Sequence, residues 1–297
     1  MAKNLLDDWL DEEEGRRREK VLRRVSEVCA VPASAQRVLA LSSDDSADIK
    51  KLADAAGADP AIAAQLLRIA NSPLFAHSKQ IVDLKRAIVL IGRRELRTMA
   101  AAMAMLAAVK TDSPLSKQLN NSSVLSATLA RVLSKHLDKK MDDGQAFLAG
   151  LLCEIGALAC LSIDAEGYER VFDEAMNSQS SLASLEKARY GATSEEIGSD
   201  MLRRNLLPDP VVRAVGTSPT DDPASLEPLQ KITLFSRLAS PWIVAAAQAQ
   251  DTQIITKRCG RLAERLALGD VEEEALLEMC IVAATAAELR LRGRPVD

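Results

Sequence analysis

A hydrophobic core made almost without aromatic rings is the tightest constraint on how this chain can fold. Hydrophobic residues make up 47% of it but aromatics only 3%, so Leu, Val, Ile and a great deal of Ala must fill the interior. Ala and Leu are strong helix formers, whereas strands favour the aromatic residues that are scarce here. An all-α protein follows. At 297 residues the chain is long enough for one large domain or two modest ones.

The punctuation cuts this helical material into pieces. Asp59-Pro60 offers an N-cap with proline at the first helical position, Asn71-Ser72-Pro73 stops the helix, and Gly57 and Gly92 end two others. The spacing predicts helices over 47–56, 60–70, 81–91, 93–109, 115–137 and 142–162, then over 168–176, 181–190, 194–205 and 209–215. A turn-rich linker, GTSPTDDPAS (216–225), precedes three more at 226–248, 252–268 and 271–292, with Pro241 kinking the first. Neither a strand nor an internal repeat is expected.

The charge balance excludes several classes. A net charge of −4, from 38 basic and 42 acidic residues, gives no overall field to gather nucleic acid or an anionic membrane. The opening MAKNLLDDWLDEEE lacks an apolar run behind a basic head, so no signal peptide is expected. MAAAMAMLAAV (99–109) is about half the length of a membrane span, and a cytoplasmic location is the expectation. The five cysteines, at 29, 153, 160, 259 and 280, form no CxxC pair. They read as small core residues rather than as a disulfide framework or a metal knuckle.

Residues 1–30 form a charged helical extension of unusual order: Asp and Glu crowd 7–14, and Arg and Lys crowd 16–24. Glu12–Arg16, Glu13–Arg17 and Glu14–Arg18 are i,i+4 pairs of favourable orientation. Gly15 between them costs up to about 1 kcal/mol in a continuous helix. Leu5, Trp9 and Leu10 make a small apolar patch with Leu6, separated from the core-facing run Val21, Leu22, Val25 and Val28. Two readings stay open: the patch folds back onto the domain, or it docks into a groove on a partner.

The segment 48–71, DIKKLADAAGADPAIAAQLLRIAN, has the outline of a DNA-reading helix-turn-helix. A recognition helix must present donors to base edges and cations to phosphates. Here Asp59 to Leu66 offers one acid, one Gln and otherwise apolar residues, so DNA is disfavoured as a partner.

Further along, Arg68-Ile-Ala-Asn71-Ser72-Pro-Leu-Phe75, then Ile81, Leu84 to Ile88 and Ile91-Gly92-Arg93-Arg94-Glu95-Leu96-Arg97 stand in a specific order. They are followed by the AFLAGLL helix (146–152). In this order and spacing the chain resembles the HDOD family, the HD-related output domains of bacterial signalling proteins, from Val31 to Val215. The resemblance implies an HD-related multi-helix bundle with an N-terminal helical subdomain, its HDOD part over 31–215. Helices in 216–297 complete or pack on that bundle. Asn71, Ser72, Phe75 and Gly92 are then the family-signature turn. Asn and Ser can bond freed backbone groups, Phe75 can plug a gap, and Gly92 permits a turn with positive φ.

The same resemblance locates the metal ligands that an HD phosphohydrolase would need, and none is retained. Ser122 stands for the first His, Cys153-Glu154 for the His-Asp pair and Ala157 for a Lys. Thr193 stands for the next His, Gly216-Thr217 for two more, and Ser236 for the closing Asp. A transition-metal site needs converging imidazoles and carboxylates, and the chain has two His, at 77 and 136. P-loop, GxGxxG and GxSxG motifs are absent. Glu154 beside Cys153 raises the thiol pKa and makes it a poor nucleophile.

Without a catalytic set or a cofactor signature, the resemblance implies a non-catalytic signalling module that contacts other proteins in trans, such as a sensor kinase, a response regulator or a cyclic-dinucleotide enzyme. The alternative is a nucleotide sensor using the old cleft, with Arg93-Arg94, Arg97, Arg203-Arg204, Lys187 and Arg189 as phosphate contacts.

Overall fold

The structure is a computed structural model and describes residues 5–29, 36–38, 40–41, 46–71, 80–92, 96, 105–106, 109, 111–137, 141–205, 207–249, 253–269 and 271–292. All regular structure among them is helical. The contacts divide the chain into two units, one made of residues 1–29 and 109–294, the other chiefly of residues 30–108.

In the smaller unit three of the described helices carry the core: α2 (Ile49–Gly57), α3 (Pro60–Ala70) and α4 (Leu84–Ile91). Asp48 caps α2 by accepting from Lys50 N, and Asp83 caps α4 by accepting from Arg86 N. Each such cap is worth about 1 kcal/mol. Leu52, Ala56, Leu66, Ala70 and Ile88 interlock in the interior. Small residues on α2 allow the three helices to approach closely, and thereby substitute for the missing rings.

The larger unit is built around α5 (Pro114–Leu137). It packs against α6 (Asp143–Leu152), α12 (Pro228–Ala249) and α14 (Glu273–Arg292). Leu125, Leu129 and Leu133 are buried on it, each stabilising by roughly 1.5–3 kcal/mol. A Cβ on Gly150 would sit 2.5 Å from Ser126 O, so glycine here sets how near the α5 and α6 backbones come. The rest follows in chain order: α7 (Ile155–Ile163), α8 (Ala165–Asn177), α9 (Leu182–Tyr190), α10 (Ser194–Arg204), α11 (Asp209–Val215) and, after α12, α13 (Gln253–Arg265).

One helix predicted over 142–162 is in fact two. Cys153 remains helical at φ −60°, ψ −24°, but Glu154 moves to φ −104°, ψ 8°, and the chain starts afresh as α7. The break redirects α7 so that Gly156 lies on the start of α10, where any Cβ would overlap the Ser194 carbonyl. The two halves of Asp143–Ile163 are together long and apolar enough to cross a membrane, yet 78% of their most apolar 18-residue window is buried within the protein. It is core.

α1 (Leu5–Val28) is continuous through Gly15 and packs against α7, α9 and α10. Val25 and Cys29 are buried, and Arg17 Nη1 donates to the Ala188 carbonyl at 2.6 Å. Gly191, at the end of α9 with φ 73°, is held twice over. Its backbone needs the left-handed region, and α1 lies so near that a Cβ would overlap Glu14 O.

Candidate functional site

Arg237, in the middle of α12, organises the region where the ligand positions fall. Its side chain is only 10% exposed and its Nη2 lies 3.0 Å from Glu195 Oε1, itself 10% exposed. The same nitrogen donates to the Thr217 carbonyl at 3.2 Å. Burial works against a charged guanidinium, but Glu195 and then Glu154 outweigh it and keep Arg237 protonated. Glu154, at the break between α6 and α7, feels the same field: burial pushes its carboxyl up to about 7, Arg237 draws it down, and Glu195 and Glu186 add to the rise.

Glu186 forms an adjoining buried node. Tyr168 donates its hydroxyl proton to Glu186 Oε1 at 2.6 Å and Ser194 N donates to Oε2 at 2.9 Å. Burial raises the Glu186 pKa against these two bonds. The Cys153 thiol is pushed far up by burial and by the Glu154 charge, which leaves it protonated.

Each ligand position has a different local role. Ser122 and Ala157 are buried in helix contacts. Thr193 is the N-cap of α10 in a capping box: its backbone N donates to Glu196 Oε2 at 2.9 Å, and Glu196 N donates to Thr193 Oγ1 at 3.3 Å. Gly216 closes α11, and Thr217 Oγ1 donates to Arg213 O while accepting from Gln230 Nε2. Ser236 O accepts from Ser126 Oγ at 3.2 Å and from Ser240 Oγ at 2.7 Å, binding α5 to α12. Glu195 Oε2 and Ser236 Oγ are among the buried atoms without a hydrogen-bond partner.

These residues do not fit the metal of an HD phosphohydrolase. The donors are hydroxyls, a protonated thiol and carboxylates of which Glu195 pairs with Arg237 and Glu186 with Tyr168 and Ser194, with no imidazole among them. A guanidinium in their midst repels a dication. Among the described residues no three His, Cys, Asp or Glu gather to hold a metal ion.

The arginines considered for phosphate binding are partly engaged within the protein. Arg189 Nη2 pairs with Asp164 at 2.7 Å, Lys187 with Glu196 at 3.8 Å and Arg204 with Asp200 at 2.5 Å. Arg93, Arg94, the side chain of Arg68, Arg97 and His77 lie outside the described residues.

In the smaller unit, Asn71 acts as a clamp across the loop that follows α3. Its Nδ2 donates to Leu67 O and Ile81 O, both at 2.7 Å, and Ile81 N donates to its Oδ1 at 2.6 Å. Gly92 closes α4 at φ 85°, ψ 151°, a conformation open in practice to glycine alone. Ser72 and Phe75 lie outside the described residues. Leu5, Trp9 and Leu10 fall within α1, and their side chains lie outside the description as well.

The residues that organise the region lie beside the ligand positions rather than at them: Arg237 one step beyond Ser236, and Glu195 two steps beyond Thr193. The available signal was a lone cation in LFSRLAS, where every helical face is otherwise apolar or small.

Among solved structures, the fold is similar to a protein provisionally named a phosphohydrolase from Shewanella amazonensis, with a TM-score of 0.70 and 20% identity over 91% of this chain and 97% of that one. It is similar to a protein provisionally named for signal transduction from Marinobacter aquaeolei, with a TM-score of 0.66 and 18% identity over 95% of this chain and 65% of that one. It is also similar to an HDOD domain protein from Geobacter sulfurreducens, with a TM-score of 0.63 and 17% identity over 92% and 97%. These likenesses show a shared helical-bundle fold. The family model of the HDOD domain matches residues 28–219, and the chain belongs to that family. No curated protein matches it.

Proposed function

We propose that this chain is a non-catalytic signal-transduction module of the cytoplasm, which uses a former phosphohydrolase scaffold to contact other proteins. The observation that carries the reading is the buried Arg237–Glu195 pair, 3.0 Å apart, among the ligand positions. There the scaffold supplies an internal cation bonded to its own backbone, Thr193 caps α10, and Thr217 and Ser236 link α12 to neighbouring elements. The partners are signalling proteins acting in trans: a sensor kinase, a response regulator or a cyclic-dinucleotide enzyme. Their contact is the apolar patch Leu5, Trp9 and Leu10 on α1, because a Trp-Leu cluster on an otherwise charged helix suits helix-in-groove recognition.

Cross-linking capture from a bacterial lysate, comparing the wild-type chain with Trp9→Ala, tests this. The wild type should enrich a protein of one of these three kinds. Trp9→Ala should weaken that capture by the equivalent of about 2 kcal/mol, the scale of an aromatic hot spot. Enrichment of such a partner equally by both would move the contact away from α1. Enrichment of none by either chain would overturn the proposal.

A further inference from the structure

The solvent-facing side of α1 has an organisation that the signalling reading leaves unused. Arg16, Arg18, Lys20 and Arg23 are exposed on it. Together with Arg204 and the lone carboxylate Glu19 they line an open groove of about 660 Å³. The local pairs Glu12–Arg16 at 3.7 Å and Arg23–Glu27 at 3.9 Å are solvent-exposed and worth only a few tenths of a kcal/mol. Although Arg204 also pairs with Asp200, the groove is lined chiefly by cations.

Gly15 begins this groove, and nothing inside the chain accounts for it. It lies within a continuous helix, where glycine is unfavourable. Its φ is not in the positive range, and a Cβ there would meet nothing within 4 Å. It also stands between the acidic run 7–14 and the basic run 16–24. Two copies of α1 laid antiparallel about Gly15 bring position 12 opposite 18 and position 7 opposite 23, so that each acidic half meets a basic half. A glycine at the crossing point lets the two backbones approach closely.

We propose that α1 is a self-association element in which the acidic half of one copy lies in the basic groove of a second copy, about a two-fold axis at Gly15. Such an interface is isologous and closes at two chains. A second copy is the occupant because its acidic run matches the basic run in length and sign at the register centred on Gly15. A phosphate-bearing small molecule would account for the cations but for neither the acidic run nor the glycine.

Sedimentation velocity on the full chain tests this with two charge-reversed variants. One carries Arg18→Glu, Lys20→Glu and Arg23→Glu, the other Asp7→Lys, Asp8→Lys and Glu12→Lys, and circular dichroism checks that both stay folded. The wild type should dimerise at about 0.05 M salt and weaken by about tenfold or more at about 0.5 M, where charges are screened over a few ångströms. Each variant alone should be monomeric, and an equimolar mixture should form a 1:1 heterodimer, since each then complements the other along the whole helix. A wild type that stays monomeric at low salt overturns the proposal. So does a folded pair of variants that fails to associate on mixing, or one that dimerises separately as well as the wild type. Binding of tripolyphosphate by a monomeric wild type would assign the groove to a small anion and overturn it equally.

Discussion

Replacing Glu154 by Gln should stabilise the protein above neutral pH and leave it unchanged in mild acid. Burial is the chief cause that lifts the Glu154 carboxyl from 4.5 to about 7, with Arg237 opposing and the charges of Glu195 and Glu186 assisting. Between those two values the folded protein holds a proton that the unfolded chain has released. Stability from this group is therefore greatest below about pH 4.5 and declines as pH rises to about 7. At about 1.4 kcal/mol for each pH unit between the two values, the decline totals about 3 kcal/mol, less where solvent at the exposed edge of Glu154 screens the charge. Glutamine has the shape of the protonated acid and cannot ionise, so it escapes the decline. Urea unfolding of wild type and Glu154→Gln at about pH 5 and about pH 8 measures the difference directly. Nearly coincident curves in acid, and a variant more stable by up to about 3 kcal/mol at the higher pH, are expected. A variant no more stable than wild type at about pH 8 would refute the argument, because Glu154 would then ionise without cost beside Arg237.

Two further perturbations address the rest of the architecture. Arg237→Leu should destabilise by about 3–5 kcal/mol, since it leaves the Glu195 charge buried without its partner; adding Glu195→Leu should recover much of that loss in equilibrium unfolding. Asn71→Ala removes three hydrogen bonds to Leu67 and Ile81 and should cost about 1–3 kcal/mol, seen as faster amide exchange in α3 and α4.

Much of the helical layout is visible in the sequence because local chemistry determines it. Asp59-Pro60 starts a helix at Pro60, and Asn71 and Gly92 lie at helix ends, as their backbone preferences require. The helix 209–215 likewise agrees at both ends. The break at Cys153-Glu154 is not legible, because neither residue disfavours a helix. It goes with close approaches at Gly150 and Gly156, made by α5 and α10 from distant parts of the chain. The organising role of Arg237 is hidden for the same reason. Its partners Glu195 and Thr217 come from other elements, and spacing along the chain does not reveal that three-dimensional convergence. The missing histidines, by contrast, can be read from the sequence alone, as can the charge order of α1 on either side of Gly15.

The proposed replacement of phosphohydrolase chemistry by internal structure centres on Arg237 and its carboxylate partners. Its most direct test is hydrolysis of a generic phosphodiester by the full chain in the presence of Mn²⁺, with Glu154→Gln assayed alongside. Rates equal to the Mn²⁺ buffer for both proteins are predicted. Turnover by the wild type that disappears in a folded Glu154→Gln would contradict the account, because Glu154 would then be serving a metal rather than Arg237.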